Sequence, residues 1–144
     1  MDYSKAFAIS AAGMSLERTR VDVAAANLAH ANAVQDPAGT GYRPMRVLAR
    51  ALAPQAFGSL VEGESAGTPA LAVTVEPQGV APRTAHEPGH PFADAKGFVR
   101  YPGVDPATEM VTLMAAMRSY EANLAALGTA RTLALRTLDI GRGT

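Results

Sequence analysis

Larger side chains recur along two stretches of the chain at alternating steps of three and four residues, and the stretch between them loses that rhythm. Between Ala6 and Ala33 the positions Phe7, Ala11, Met14, Arg18, Val21, Ala25 and Leu28 form one seam, interrupted by a single arginine. A repeat of period about 3.5 marks a helix that lies along another helix. The segment has no proline, one glycine and many alanines, which favour helix and let a second backbone come close. A second seam passes through Met110, Leu113, Met117, Tyr120, Leu124, Leu127, Arg131, Ala134 and Leu138, again with one arginine in it. Its start is well specified. Asp105 can cap, Pro106 suits the first helical position and Glu109 brings negative charge to the first turn, while Gly141 marks the stop.

At about 1.5 Å per residue the two helices would be roughly 40 and 50 Å long, too long to be wrapped into a ball by the few large apolar residues of this chain. Of its apolar 48%, 30 residues are alanine. Packing along each other is the better solution. Further apolar residues lie on other faces, namely Ile9, Leu16 and Val23 in the first helix and Val111, Met114, Leu133 and Leu135 in the second. One partner helix would not cover them all, so more than one neighbour is implied. Arg18 and Arg131 fit seams in which they meet acids or backbone carbonyls of adjacent helices and so fix register.

All ten prolines, and nine of the thirteen glycines, lie between Pro37 and Pro106. Within this middle segment, 37–104, alternating stretches predict strands at Arg46 to Leu52, Leu71 to Val75 and Phe98 to Tyr101. Phe57 to Thr68, with three glycines, reads as a loop or hairpin tip. The expected fold class is α+β: long N- and C-terminal helices packed in a coiled-coil-like layer, with a small Pro/Gly-rich β segment between them. The expected divisions are 1–36, 37–104 and 105–144.

Charge and chemistry narrow the function. The 144 residues carry 13 basic and 13 acidic side chains, a formal net charge of zero, so no general field draws the chain to nucleic acid or an anionic membrane. Without cysteine there is no disulfide framework, thiolate metal site or thiol nucleophile. No run reaches the roughly 18 apolar residues of a membrane span, and Asp2 cancels Lys5 in a poor candidate for a cleaved leader. One catalytic pattern is present. His86-Glu87-Pro88-Gly89-His90 has the H-E-x-x-H form of zinc hydrolases, whose chemistry needs both histidines on one helical face. Pro88 and Pro91 oppose that helix, and an extended, turn-rich loop with surface histidines is the preferred reading. His30 is read as a polar residue in the last turn of the first helix, suited to its dipole.

The run Arg20-Val21-Asp22-Val23-Ala24-Ala25-Ala26-Asn27-Leu28-Ala29 strongly resembles the signature of flagellar rod and hook axial proteins. The runs Glu87 to Val99 and Pro102-Gly103-Val104-Asp105, then Glu109-Met110-Val111 and Arg118-Ser119-Tyr120-Glu121-Ala122-Asn123, resemble the proximal-rod members of that family. The resemblance covers about residues 5 to 50 and 86 to 141, with His30, Pro44 and Gly103 departing from the usual pattern at element boundaries. It implies a structural protein with no catalytic activity, cofactor or metal. Such a subunit would be exported through the flagellar type III apparatus without a cleaved signal. It would polymerise in the periplasmic rod of the basal body and pass on motor torque. Its partners would be copies of itself, other rod proteins and the basal-body ring or export-gate base, with no nucleic acid and no membrane insertion. The seam residues, together with Asn27 and Asn123 of the matching motifs, would then form the assembly interface. Leu113, Met117, Leu124 and Leu127 are expected to matter most. Another rod or hook axial protein, or a self-contained helical adaptor, are the alternatives.

Overall fold

A computed structural model describes residues 3–36, 41–51 and 71–143. In chain order the elements are α1 (Tyr3–Ala29), β1 (Met45–Ala51), β2 (Leu71–Pro77), β3 (Arg83–His86), β4 (Phe98–Tyr101) and α2 (Pro106–Arg142). The fold is α+β, with two long terminal helices and small sheets between them. The stretch read as a glycine-rich loop, Phe57 to Thr68, lies outside the described residues.

The helix ends follow local chemistry. Asp105 caps α2: its carboxylate accepts from the Ala107 and Thr108 amides and the Thr108 hydroxyl. These bonds satisfy amide donors that no helical carbonyl reaches. The first helix ends at Ala29, four residues before the last alanine of its run. Ala31 N bonds to Leu28 O and Ala33 N to His30 O, so the chain tightens into a turn. That turn buries Ala31 and delivers Gln35 to the edge of β4, where Gln35 N donates to Arg100 O at 2.9 Å. A tertiary partner decides this terminus, not helix propensity.

The chain divides into two compact units. The inner unit comprises Thr19–Leu48 and Val75–Ala115; the terminal unit comprises the described residues of Met1–Arg18, Ala49–Thr74 and Ala116–Thr144. In the inner unit, Ala24, Ala31, Val99, Pro102 and Val104 are buried. The antiparallel hairpin β3–β4 pairs Arg83 with Tyr101 and His86 with Phe98. Strand β3 was not expected, because Arg83 to His86 contains no large apolar residue and three of its four residues stay exposed. The chain then turns on Asp94, which accepts from the Lys96 and Phe98 amides, and on Gly97, whose φ of 79° favours glycine. β1 and β2 form a second two-stranded sheet. Gln78 N donates to Pro44 O and Arg46 pairs with Glu76, which sets the start of β1 beside the end of β2. Gly103 is required for space: a Cβ there would lie 2.2 Å from the Ala81 carbonyl oxygen.

In the terminal unit, the first part of α1 runs antiparallel to the later part of α2. Tyr3 and Thr137 share a hydroxyl hydrogen bond of 3.0 Å, and a Cβ on Gly13 would come within 2.7 Å of the Asn123 amide. Ser10, Glu17 and Ala116 are buried. Small residues let the helices approach closely, and the larger side chains are left on other faces.

Candidate functional site: an assembly surface

Asn27 organises the inner unit and is only 1% exposed. Its Nδ2 donates to Met45 O at 2.9 Å and to Glu109 Oε1 at 3.1 Å. Its Oδ1 accepts from the Tyr42 hydroxyl at 2.8 Å and from Met45 N at 2.9 Å. Two donors and two acceptor positions are all that a carboxamide has, and every one is used. One side chain thus ties the end of α1 to β1 and to the first turn of α2. Burial, and after it the negative charge of Glu109, raise the Tyr42 phenol above its ordinary pKa. His30 lies just past the last helical residue. Its Nδ1 donates to Ala26 O, and its ring stacks on Tyr42 at 4.3 Å. Asn27 is recognisable from its motif, but its partners are tertiary, and no spacing in the sequence singles out Tyr42 or Glu109.

The H-E-x-x-H residues are spread over a hairpin. His86 ends β3 and meets the Phe98 ring edge-on. Glu87 accepts the Tyr101 hydroxyl at 3.1 Å, and His90 Nδ1 accepts Phe92 N at 3.1 Å. Among the described residues no three His, Asp or Glu side chains are grouped as a metal site. The wells on the inner unit are shallow, the one beside Asn27 holding about 240 Å³ between Arg20, Val23, Val47 and Thr112.

Among the described residues, most of the exposed large apolar side chains lie on the helices. In α2, Met110, Val111 and Met114 are half exposed in the inner unit; in the terminal unit Met117, Leu124, Leu133 and Leu135 are about as exposed, Leu138 is 64% exposed and Ile140 77%. The seam expected in α2 divides between two faces. Leu113, Leu127 and Ala134 are half-buried, on the same face as Ala116 and Asn123, whereas Met110, Met117, Leu124, Arg131 and Leu138 face outward and Tyr120 lies at the margin. In α1, Phe7, Met14, Val21 and Leu28 are half-buried and Ala11, Arg18 and Ala25 are exposed, while the most buried positions are the neighbouring Ser10, Glu17, Ala24 and Asn27. Among the described residues no helix is long and apolar enough to cross a membrane.

Two long terminal helices, of which α2 carries an outward apolar row, and small sheets between them make up the described chain. Residues 95–140 match the family described as flagellar basal body rod FlgEFG protein C-terminal, a likeness to flagellar rod proteins over that stretch. Over 137 residues, 94% of this chain and 96% of the relative, it is 39% identical to the flagellar basal-body rod protein FlgC of Escherichia coli O157:H7. The protein of the same description from Aquifex aeolicus is 32% identical over 142 residues, 96% of this chain and 97% of the relative. That of Bacillus subtilis is 29% identical over 143 residues, 93% and 95% of the two chains. The chain belongs to the FlgC family, and it is a structural subunit of the flagellar basal-body rod.

Proposed function

We propose that this subunit acts without catalysis in the proximal part of the rod, polymerising through its terminal helices so that motor torque is carried by many repeated helix contacts. Its partners are copies of itself and other rod proteins, with the basal-body ring or export-gate base below. It reaches the periplasm through the flagellar type III apparatus with its N-terminus uncleaved. The observation that supports this reading best is the half-exposed apolar row of α2, with Leu124 52% open to water in a single chain. Contiguous apolar surface of this kind marks an interaction face.

Deleting the gene and imaging basal bodies by electron microscopy tests the role. Loss of the rod and filament with the membrane rings retained is the expected result, and complementation by the intact gene restores swimming. Complementation by Leu124→Asp fails, because assembly would bury an unpaired charge at each copy. Normal flagella in the deletion strain, or full swimming with the Asp variant, would refute the respective step.

A further inference from the structure

The inner unit also carries an open cleft of about 390 Å³, where the lead into β1, the connector after β2 and strand β4 meet. Clefts that take ligands begin at about 300 Å³. Two glutamines fix its walls. Gln35 donates from its backbone to Arg100 O at 2.9 Å and from Nε2 to Tyr42 O at 3.2 Å. Gln78 donates from its backbone to Pro44 O at 2.7 Å and from Nε2 to Met45 O at 3.1 Å. Pro77 and Pro82 line the cleft too, and their rings restrict the local backbone. The shape is therefore set before anything enters it. The charged residues of the lining are Arg43 and Arg100, both exposed, and among the described residues no acid lines it. Neither guanidinium has an ion-pair or hydrogen-bond partner among the described residues. Asp94, the acid on which the charge of Arg100 acts, is engaged by the Lys96 and Phe98 amides. Beside the two cations the surface is apolar: Val80 is 49% exposed, and Pro77 and Pro82 are open to water.

We propose that this cleft receives an acidic segment of another protein, with carboxylates on Arg43 and Arg100 and an apolar side chain against Val80 and Pro82. The site is built from the inner unit alone, so it goes beyond the helix contacts of the rod-subunit reading and does not use them. Charge complementarity selects the occupant. Two cations with no acid beside them repel a basic segment, and a guanidinium takes a carboxylate through two parallel hydrogen bonds. A free phosphate or carboxylate would meet the cations and leave the apolar wall wet, whereas a peptide covers both. Pairs at an open rim are screened by salt, so the docking is weak and depends on ionic strength.

Titrating the isotopically labelled full chain with acetyl-Glu-Glu-Leu-Glu-Glu-amide, read by NMR, tests the site. The Gly79, Val80 and Gly103 amides and the Nε signals of Arg43 and Arg100 should shift together, with a dissociation constant of about 1 mM. Arg43→Gln and Arg100→Gln should each weaken binding about threefold, and raising NaCl from about 50 to about 300 mM should weaken it about fivefold. Val80→Ser should weaken the peptide about threefold and leave inorganic phosphate unaffected. No shift at these signals, or an equal response to acetyl-Lys-Lys-Leu-Lys-Lys-amide, would overturn the proposal. Inorganic phosphate binding as tightly as the peptide would overturn the peptide as occupant. In assembled basal bodies, p-benzoylphenylalanine in place of Val80 should cross-link under ultraviolet light to a segment rich in Asp or Glu; no cross-link, or one to a segment without acids, would count against it. Normal flagella after gene deletion would remove the rod role and leave the titration standing.

Discussion

The two units of this chain are held by different chemistry. In the inner unit a buried amide, Asn27, spends all its hydrogen bonds on two other chain segments, one holding Tyr42 and Met45 and the other Glu109. In the terminal unit the corresponding motif asparagine, Asn123, donates among the described residues to Ser119 O of its own helix and fills the space above Gly13. Directional bonds with fixed partners specify one arrangement, because losing any of them leaves a buried group unpaired. Close packing of small residues specifies little by itself and leaves large side chains such as Met117 and Leu124 exposed. The inner unit is therefore specified within one chain at the Asn27 node, although Met110, Val111 and Met114 of the same unit stay half exposed.

The sharpest way to break this contrast is Asn27→Ala. It removes the Asn27 partner of the Tyr42 hydroxyl, of Met45 N and of a Glu109 oxygen, while Met45 O keeps its bond from Gln78 Nε2, at a cost of about 2–4 kcal/mol. Amide hydrogen exchange should show Met45 losing its protection while α2 beyond Ser119 exchanges as before. Retained protection at Met45 would remove Asn27 from its organising place. A smaller effect separates the units by their glycines. Gly103→Ala drives a methyl into the Ala81 carbonyl and should cost about 1–3 kcal/mol. Gly13→Ala meets only the movable tip of Asn123 and gains about 1 kcal/mol of helix propensity, leaving it close to neutral. Urea denaturation of the two variants side by side checks the order. The smallest effect concerns pH. The Thr108 hydroxyl first, then the Ala107 and Thr108 amides, hold the Asp105 carboxyl below its ordinary pKa. With the folded value depressed, the cap contributes fully above the ordinary carboxylate range and is lost as pH falls through the folded value, below about pH 4. NMR titration of the Ala107 and Thr108 amides should show that loss, and Asp105→Asn should flatten it.

The sequence made some of this legible and not the rest. Asp105, Pro106 and Gly141 mark the ends of α2 to within a residue or so, because caps and breakers act locally. Strands β1, β2 and β4 carry apolar alternation and were readable; β3 is held by its register with β4 and has no such pattern. Selecting seam residues by size mixed two faces of α2. The helix turns Ala116 and Asn123 inward and leaves Met117 and Leu124 outside, so the residues of the chain's own contact are too small to stand out. The Asn27 node was out of reach for another reason: Tyr42, Met45 and Glu109 meet it through the fold, and no periodicity announces them.

The open row on α2 also gives the chain a redox chemistry that its lack of cysteine conceals. Met110, Met114 and Met117 are each about half open to solvent in a single chain. Their thioether sulfurs are the atoms most readily converted to sulfoxides, which turns a soft apolar side chain into a polar one. A subunit waiting to be incorporated would carry that vulnerability on its docking face, and one already covered by a neighbour would be shielded. Oxidant exposure would therefore spoil the unincorporated pool while sparing finished structure, making the age of a subunit, and not only its sequence, a determinant of whether it can still be used.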